Sequence, residues 1–278
     1  QTGAGGFTKA GAGTWTLAGT AANFTGATSL TGGTLSITGG ALGSTSGTTL
    51  GGGTLALTSG SQNIGNLTVS AGSTNTVTVG ASSTLTLGST LARSVGGTVA
   101  FDISASGAAI ASASTAGVLG YATINDGTVG MAYASGTNIV RLTSFSGGIL
   151  ADNTNNGASD YTTAGMAANP LLWSNTLTTR SVNSLTFDPS AASQVVRMGA
   201  VGNVLTLTSG AIQKVGANNA TCLPPVIAIK AARSATSVLP KPTSPQISRS
   251  IGRGLIMSWI TAWMAARWSA VSSKPKSL

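Results

Sequence analysis

Five aspartates, Asp102, Asp126, Asp152, Asp160 and Asp188, are the only acidic side chains in this chain of 278 residues, which has neither glutamate nor histidine. Acid–base chemistry of the glycosidase kind needs two carboxylates held across one bond. The aspartates stand at least eight residues apart, and no spacing places two of them on one face. Without histidine, His-based triads and His metal sites are excluded. The lone cysteine, Cys222, has no base to activate it and can form no internal disulfide. Asp152, Asn156 and Asp160 lie in a glycine-containing loop that suggests calcium. The spacing fails, because Thr154 stands at the third position and Thr163 where a bidentate glutamate belongs. An Asx-rich surface turn accounts for them. Gly3-Ala4-Gly5-Gly6 and Gly11-Ala12-Gly13 resemble phosphate loops, yet neither leads into Lys-Ser/Thr and a helix, so they read as turn glycines. No catalytic residue, cofactor or metal site is expected.

The elements that would position any site are repeated strands. Gly32-Gly33-Thr34-Leu35-Ser36-Ile37-Thr38-Gly39-Gly40 returns nearly unchanged as Gly52-Gly53-Thr54-Leu55-Ala56-Leu57-Thr58-Ser59-Gly60, twenty residues on. Echoes follow at Asn66-Leu67-Thr68-Val69, at Thr84-Leu85-Thr86-Leu87 and at Val204-Leu205-Thr206-Leu207. Each alternates apolar and small polar residues between glycine or serine, the signal of a half-buried strand. Self-similarity near twenty residues is the signal of a solenoid, because one such strand cannot bury its apolar face alone. Leu17, Leu35, Ile37, Leu55, Leu57, Leu67, Val69, Leu85, Leu87, Leu205 and Leu207 are therefore expected to point inward. Leu35, Ile37, Leu55, Leu57, Leu85 and Leu87 are expected in adjacent rungs, with Thr34, Thr54 and Thr84 laddered outside. Parallel pairing is expected, with hairpins closed by the glycine-rich links as the alternative. Trp15 reads as rung packing rather than a sugar platform.

Composition agrees. Charged residues are 7% of the chain, against about 25% in an ordinary globular domain. A solenoid faced with Thr, Ser, Asn and Gly is polar outside without charge. The net charge of +9 is not spread evenly. Six basic residues balance the five aspartates before Thr221, whereas eight bases and no acid follow from Cys222 onward. The near-neutral body lacks the basic, aromatic-bearing surface that nucleic-acid binding needs.

Lys9-Ala10-Gly11-Ala12-Gly13-Thr14-Trp15-Thr16-Leu17-Ala18-Gly19, then Asn23-Phe24-Thr25-Gly26, then Gly33-Thr34-Leu35 resembles the autotransporter-associated β-strand repeat of secreted bacterial passenger domains. Asn23 directly precedes Phe24, in a turn one residue longer than the common form, which leaves the register of the next strand unchanged. Looser likeness continues through Gly117–Thr123, Asn138–Leu142 and Ser181–Phe187. The resemblance implies an all-β, right-handed parallel β-helix exported as a stalk or passenger. It also implies a secreted or outer-membrane location in a Gram-negative-type bacterium, with a β-barrel translocator elsewhere in the full-length chain.

The domain reading is residues 1–98 as regular solenoid, 99–220 as its continuation with longer loops, and 221–278 as an irregular, non-β tail. Six of the eight prolines, three of the five tryptophans and the cysteine fall at or beyond residue 222. Proline removes ladder donors, and the apolar part of residues 255–271 is shorter than the roughly 20 residues of a membrane span. A shift of reading frame near Thr221 accounts for the abrupt change better than a cationic interfacial helix does. Gln1 is no initiator, so the chain reads as a fragment of a longer protein.

The expected function is structural: a surface-exposed or secreted passenger segment with adhesive capacity. Two rivals compete with it. One is a polysaccharide-acting enzyme on the same scaffold, which needs two close carboxylates. The other is a module whose loops near 150–175 grip a glycan or host protein, which needs an exposed aromatic patch at Tyr161 and Trp173.

Overall fold

The computed structural model describes residues 2–3, 5–19, 23–43, 45–151, 154–166, 171–173, 179–198, 204–218 and 220–223, with side chains throughout except at strand residues 2–3, 23, 172–173, 198 and 221–223. Expectations for the basic tail beyond Leu223 lie outside them. The strands, in chain order, follow the rungs of a solenoid. The first rung holds β1 (Thr2–Gly3), β2 (Phe7–Lys9) and β3 (Thr14–Leu17), and the second β4 (Asn23–Phe24), β5 (Thr28–Leu30) and β6 (Thr34–Thr38). The third has β7 (Gly47–Leu50) and β8 (Gly53–Ser59). The fourth has β9 (Ser61–Asn63), β10 (Asn66–Val69) and β11 (Thr74–Val79). The fifth has β12 (Thr84–Leu87), β13 (Leu91–Arg93) and β14 (Thr98–Asp102), after which β15 (Ala109–Ser112) leads into β16 (Gly117–Asn125).

These strands stack wall on wall. The longest wall runs β3-β6-β8-β11-β14-β16, with every neighbouring pair parallel. Its register keeps one apolar column: Trp15, Leu35, Leu55, Val77, Phe101 and Ile124 lie opposite one another in turn. A second column joins Leu17, Ile37, Leu57 and Val79. Beyond the first rung these side chains are buried, each worth roughly 1.5–3 kcal/mol. Leu17 is only half-buried and Trp15 is 47% exposed, although both occupy inward positions, because the first rung has no strand on its outer edge among the described residues.

The echoes at 66–69 and 84–87 do not extend that wall. Leu67 and Val69 stack between Thr48 and Leu50 on one side and Leu91 and Arg93 on the other, in the wall β2-β5-β7-β10-β13. Leu85 lies between Gln62 and Ile110 in the third wall, β9-β12-β15. Leu67, Val69, Leu85 and Leu87 are buried in the same core as Leu55, but from different sides. Accordingly, the partner of Thr54 in the ladder is Thr76, not Thr84. One circuit of chain carries up to three short strands, so similar segments about twenty residues apart need not be wall neighbours.

Polar side chains that point inward are satisfied across rungs. Asn75 is buried; its Nδ2 donates to Ser73 Oγ at 2.9 Å and Thr98 O at 3.0 Å, and its Oδ1 accepts from Gly52 N at 2.8 Å. It thus links three successive rungs. Gln62 Oε1 accepts from Leu42 N at 3.1 Å, while its Nε2 donates to Gly43 O at 3.3 Å, tying the third wall to a corner that lacks a strand. Buried polar groups cost little only when paired in this way.

The parallel ladder ends at a meander. β16 pairs antiparallel with β17 (Val129–Ala134), and β17 with β18 (Ile139–Arg141). The first link is Asp126-Gly127-Thr128, with Gly127 at φ +103°, an Asp-Gly hairpin signal. The hairpin alternative therefore operates here, whereas among the described residues the strand pairs that build the stacked walls are parallel and only the bridge from Ala111 to Asn138 of the meander is antiparallel. A second parallel stack follows: β19 (Gly148–Ile149), β20 (Asn156–Thr162), β21 (Leu171–Trp173), β22 (Thr179–Phe187), β23 (Gln194–Met198), β24 (Val204–Lys214) and β25 (Ala220–Leu223). Its sheets are β19-β20-β22-β24 and β21-β23-β25. Leu205, Leu207, Val182, Leu185 and Phe187 fill its core. Successive rungs are longer here: Tyr161 faces Leu185, which faces Ile212. Thr221, Cys222 and Leu223 pair with Val195, Val196 and Arg197, so the ladder runs past residue 220 to the last described residue, Leu223.

The two stacks meet through β24. Met131, Leu142 and Ala211 form a small core with Val118, Tyr133 and Phe145 around it. Buried Gln213 accepts from Met131 N at 2.7 Å and donates to Thr186 Oγ1 at 3.0 Å, joining the meander to the second stack.

Candidate functional site

The repeat motif itself is occupied by packing. Lys9 stands in the inward column beneath Leu30, and buried there it donates from Nζ to Ala10 O at 3.0 Å, Gly11 O at 2.7 Å and Gly32 O at 2.9 Å. Gly33, at φ +68°, lies where a Cβ would strike the carbonyls of Gly11 and Gly13 and the Lys9 ammonium. The Lys-x-Gly-x-Gly spacing is thus one device: a cation gathering carbonyls at a corner too tight for side chains. Phe7 packs on Trp15 and Phe24 with ring centroids 4.9 and 5.7 Å apart, closing the same end. Lys9→Met keeps the stem but removes the charged donor. We expect a loss of about 1.5–3 kcal/mol. Faster exchange of the Thr31 and Thr34 amides, which bond Lys9 O and Gly13 O, is the readout; unchanged protection there would sink the assignment.

The aspartates are scattered. Asp102 caps Ser104 N at 3.0 Å and Asp188 caps Ser190 N at 3.2 Å. Asp126 binds Arg141 Nε at 2.9 Å. Slight burial pushes its carboxyl up, but the Arg141 hydrogen bond, the Thr128 N–H and the Arg141 charge together hold it below the usual carboxylate range. Asp152 lies outside the described residues. Asn156 is exposed and caps Ala158 N at 3.0 Å. Among the described residues no group of three His, Cys, Asp or Glu is poised to hold a metal.

Asp160 is different. It is 6% exposed, and its Oδ1 accepts from Asn183 Nδ2 at 2.8 Å and Ser184 Oγ at 2.7 Å. Oδ2 accepts from no described residue. The carboxylate lines a cleft of about 700 Å³ between the meander and the second stack. Val118, Tyr133, Val140, Arg141 and Leu142 form one side, and Ser146, Asp160, Asn183 and Ser209 the other. Ser146 Oγ accepts from Asp160 N at 3.0 Å, which fixes the strand that carries the carboxylate. Sequence reading singled out Asp160, but for an Asx turn, and gave no role to Arg141 or Asn183. The Asp126-Gly127 hairpin was the legible clue that a meander presents this wall.

The expected aromatic patch is not formed by Tyr161. That residue is 8% exposed in the core of the second stack, with its ring directly over Gly147, because β20 turns this position inward opposite Leu185. The side chain of Trp173 lies outside the described residues. Elsewhere, burial pushes the Tyr121 phenol up to about 12, opposed by Arg93, whose guanidinium lies 5.5 Å from the ring centroid. Among the described residues no helix is long and apolar enough to cross a membrane.

Residues 7–37 match the family model of the passenger-associated-transport-repeat. That span runs from β2 through the inward Ile37 of β6: one full circuit, closed where Thr28 pairs with Phe7, and about half of the next, with the Lys9 corner in it. No curated protein and no solved structure matches the chain.

Proposed function

We propose, from the passenger-type repeat at residues 7–37 and the solenoid built on it, that this chain is a structural segment of an autotransporter-like passenger. In this reading it is secreted or surface-exposed in a Gram-negative-type bacterium, works with a β-barrel translocator encoded elsewhere in the full-length protein, and holds other parts away from the surface. The observation that carries the proposal is the unbroken column Leu35-Leu55-Val77-Phe101-Ile124. Each rung supplies the next with a template of backbone groups and apolar side chains, so length grows by about 4.8 Å per rung without new chemistry. Exposed faces of Thr, Ser and Gly keep the shaft hydrated with little charge. Parallel rungs also suit export, since a chain emerging from a pore extends an existing template.

The test is location. Antibodies raised against residues 5–151 should label intact cells of the bacterium that makes the protein, and external protease should remove the label. Signal that appears only after lysis would overturn the proposal.

A further inference from the structure

We propose that the cleft between the meander and the second stack binds a neutral, hydroxyl-rich ligand of saccharide type. This goes beyond the structural reading and does not rest on it. The cleft has the size of small-ligand sites, about 300–1,000 Å³. At its wall stands a carboxylate that is more than nine-tenths buried and only half used: Asp160 Oδ1 is held by Asn183 and Ser184, while Oδ2 accepts from no described residue. The two donors lock the carboxyl plane, so the second oxygen is a fixed acceptor on a residue that lines the cleft. Ser146 Oγ accepts from Asp160 N, which leaves its own proton to donate beside that acceptor. Tyr133, Val140 and Leu142 supply an apolar wall opposite.

A fixed anionic acceptor, a neighbouring hydroxyl and an apolar face match the alternating O–H and C–H surfaces of a sugar ring. The charge selects against an anion: Asp160 repels it, and the Arg141 charge on the same lining is already balanced by Asp126. A neutral donor meets no such obstacle, and a carboxylate accepts its hydroxyl proton in a charge-assisted bond.

The probes are cellotriose, maltotriose and chitotriose, with n-butylamine as a cationic control, titrated onto the whole chain and followed by calorimetry and saturation-transfer NMR. At least one trisaccharide should bind one to one with a dissociation constant in the millimolar range or tighter. Asp160→Asn keeps Oδ1 for Asn183 and Ser184 but replaces the free acceptor by a donor; it should weaken binding about tenfold or more with an unchanged melting curve. Val140→Trp acts from the other wall, at a position 38% exposed, and should block the cleft without disturbing the core. If no trisaccharide binds at about ten times a millimolar constant, if both variants bind as the parent does, or if the amine binds in place of the sugars, the proposal is wrong.

Discussion

Leu55→Asp is expected to unfold the first stack. Leu55 is 1% exposed, between Leu35 above and Val77 below in the longest wall. The substitution forfeits roughly 1.5–3 kcal/mol of burial. It also places a carboxylate among hydrocarbon with no partner, which costs several kcal/mol more or forces protonation. The sum is comparable with the whole stability of an ordinary domain, about 5–15 kcal/mol. The damage should depend on pH in a definite sense. Burial raises the folded-state pKa of the new carboxyl above its unfolded value. Stability is then greatest below the unfolded pKa, near 4, and falls as pH rises through the folded value. Melting followed by circular dichroism at pH 4 and pH 7 should show the variant closer to the parent at the lower pH. A variant as stable as the parent at pH 7 would mean that the column does not carry the fold.

The second large effect separates one rung from half of one. In the longest wall Thr76 pairs with Ala100, and Val77 with Phe101, so removing residues 77–100 joins Thr76 to Phe101 in the existing register. The third wall closes too, since Gln62 and Ile110 both flank Leu85. Asn75 loses its bond to Thr98 O, a cost of about 1–3 kcal/mol. The shortened chain should therefore still melt cooperatively, a few degrees lower. Removing only residues 77–88 instead puts Ser89 in the place of Val77 and carries the strand at Leu91–Arg93 into the wrong wall, where it faces neither of its own neighbours. That variant should be unfolded by circular dichroism and open throughout residues 61–125 to hydrogen exchange. If both deletions behave alike, the rung is not the structural unit.

What lay open in the sequence was local. Alternation at Thr34–Thr38, Gly53–Ser59 and Thr84–Leu87 follows from the two-residue period of a strand, in which successive side chains leave opposite faces. Their inward residues were therefore identifiable one segment at a time, and the spacing of the first two copies revealed the rung. The motif from Lys9 to Gly33 was legible as a unit for a related reason: its charge and its glycines all serve one corner.

The sequence by itself determined that strands would form, which faces would be apolar, and that they would stack as rungs. Tertiary structure alone decided which strand lies beside which, because a partner is set by how many residues a corner consumes, and those counts vary from rung to rung. Thr84–Leu87 looks like the next copy of Gly53–Ser59, yet it belongs to another wall. The cleft is more remote still from local reading. Val140 and Arg141 come from the meander, Asp160 from β20 and Asn183 from β22, and they meet because Gln213 and Ala211 dock β24 against Met131. No period along the chain encodes that approach; it follows from closing one apolar surface against another.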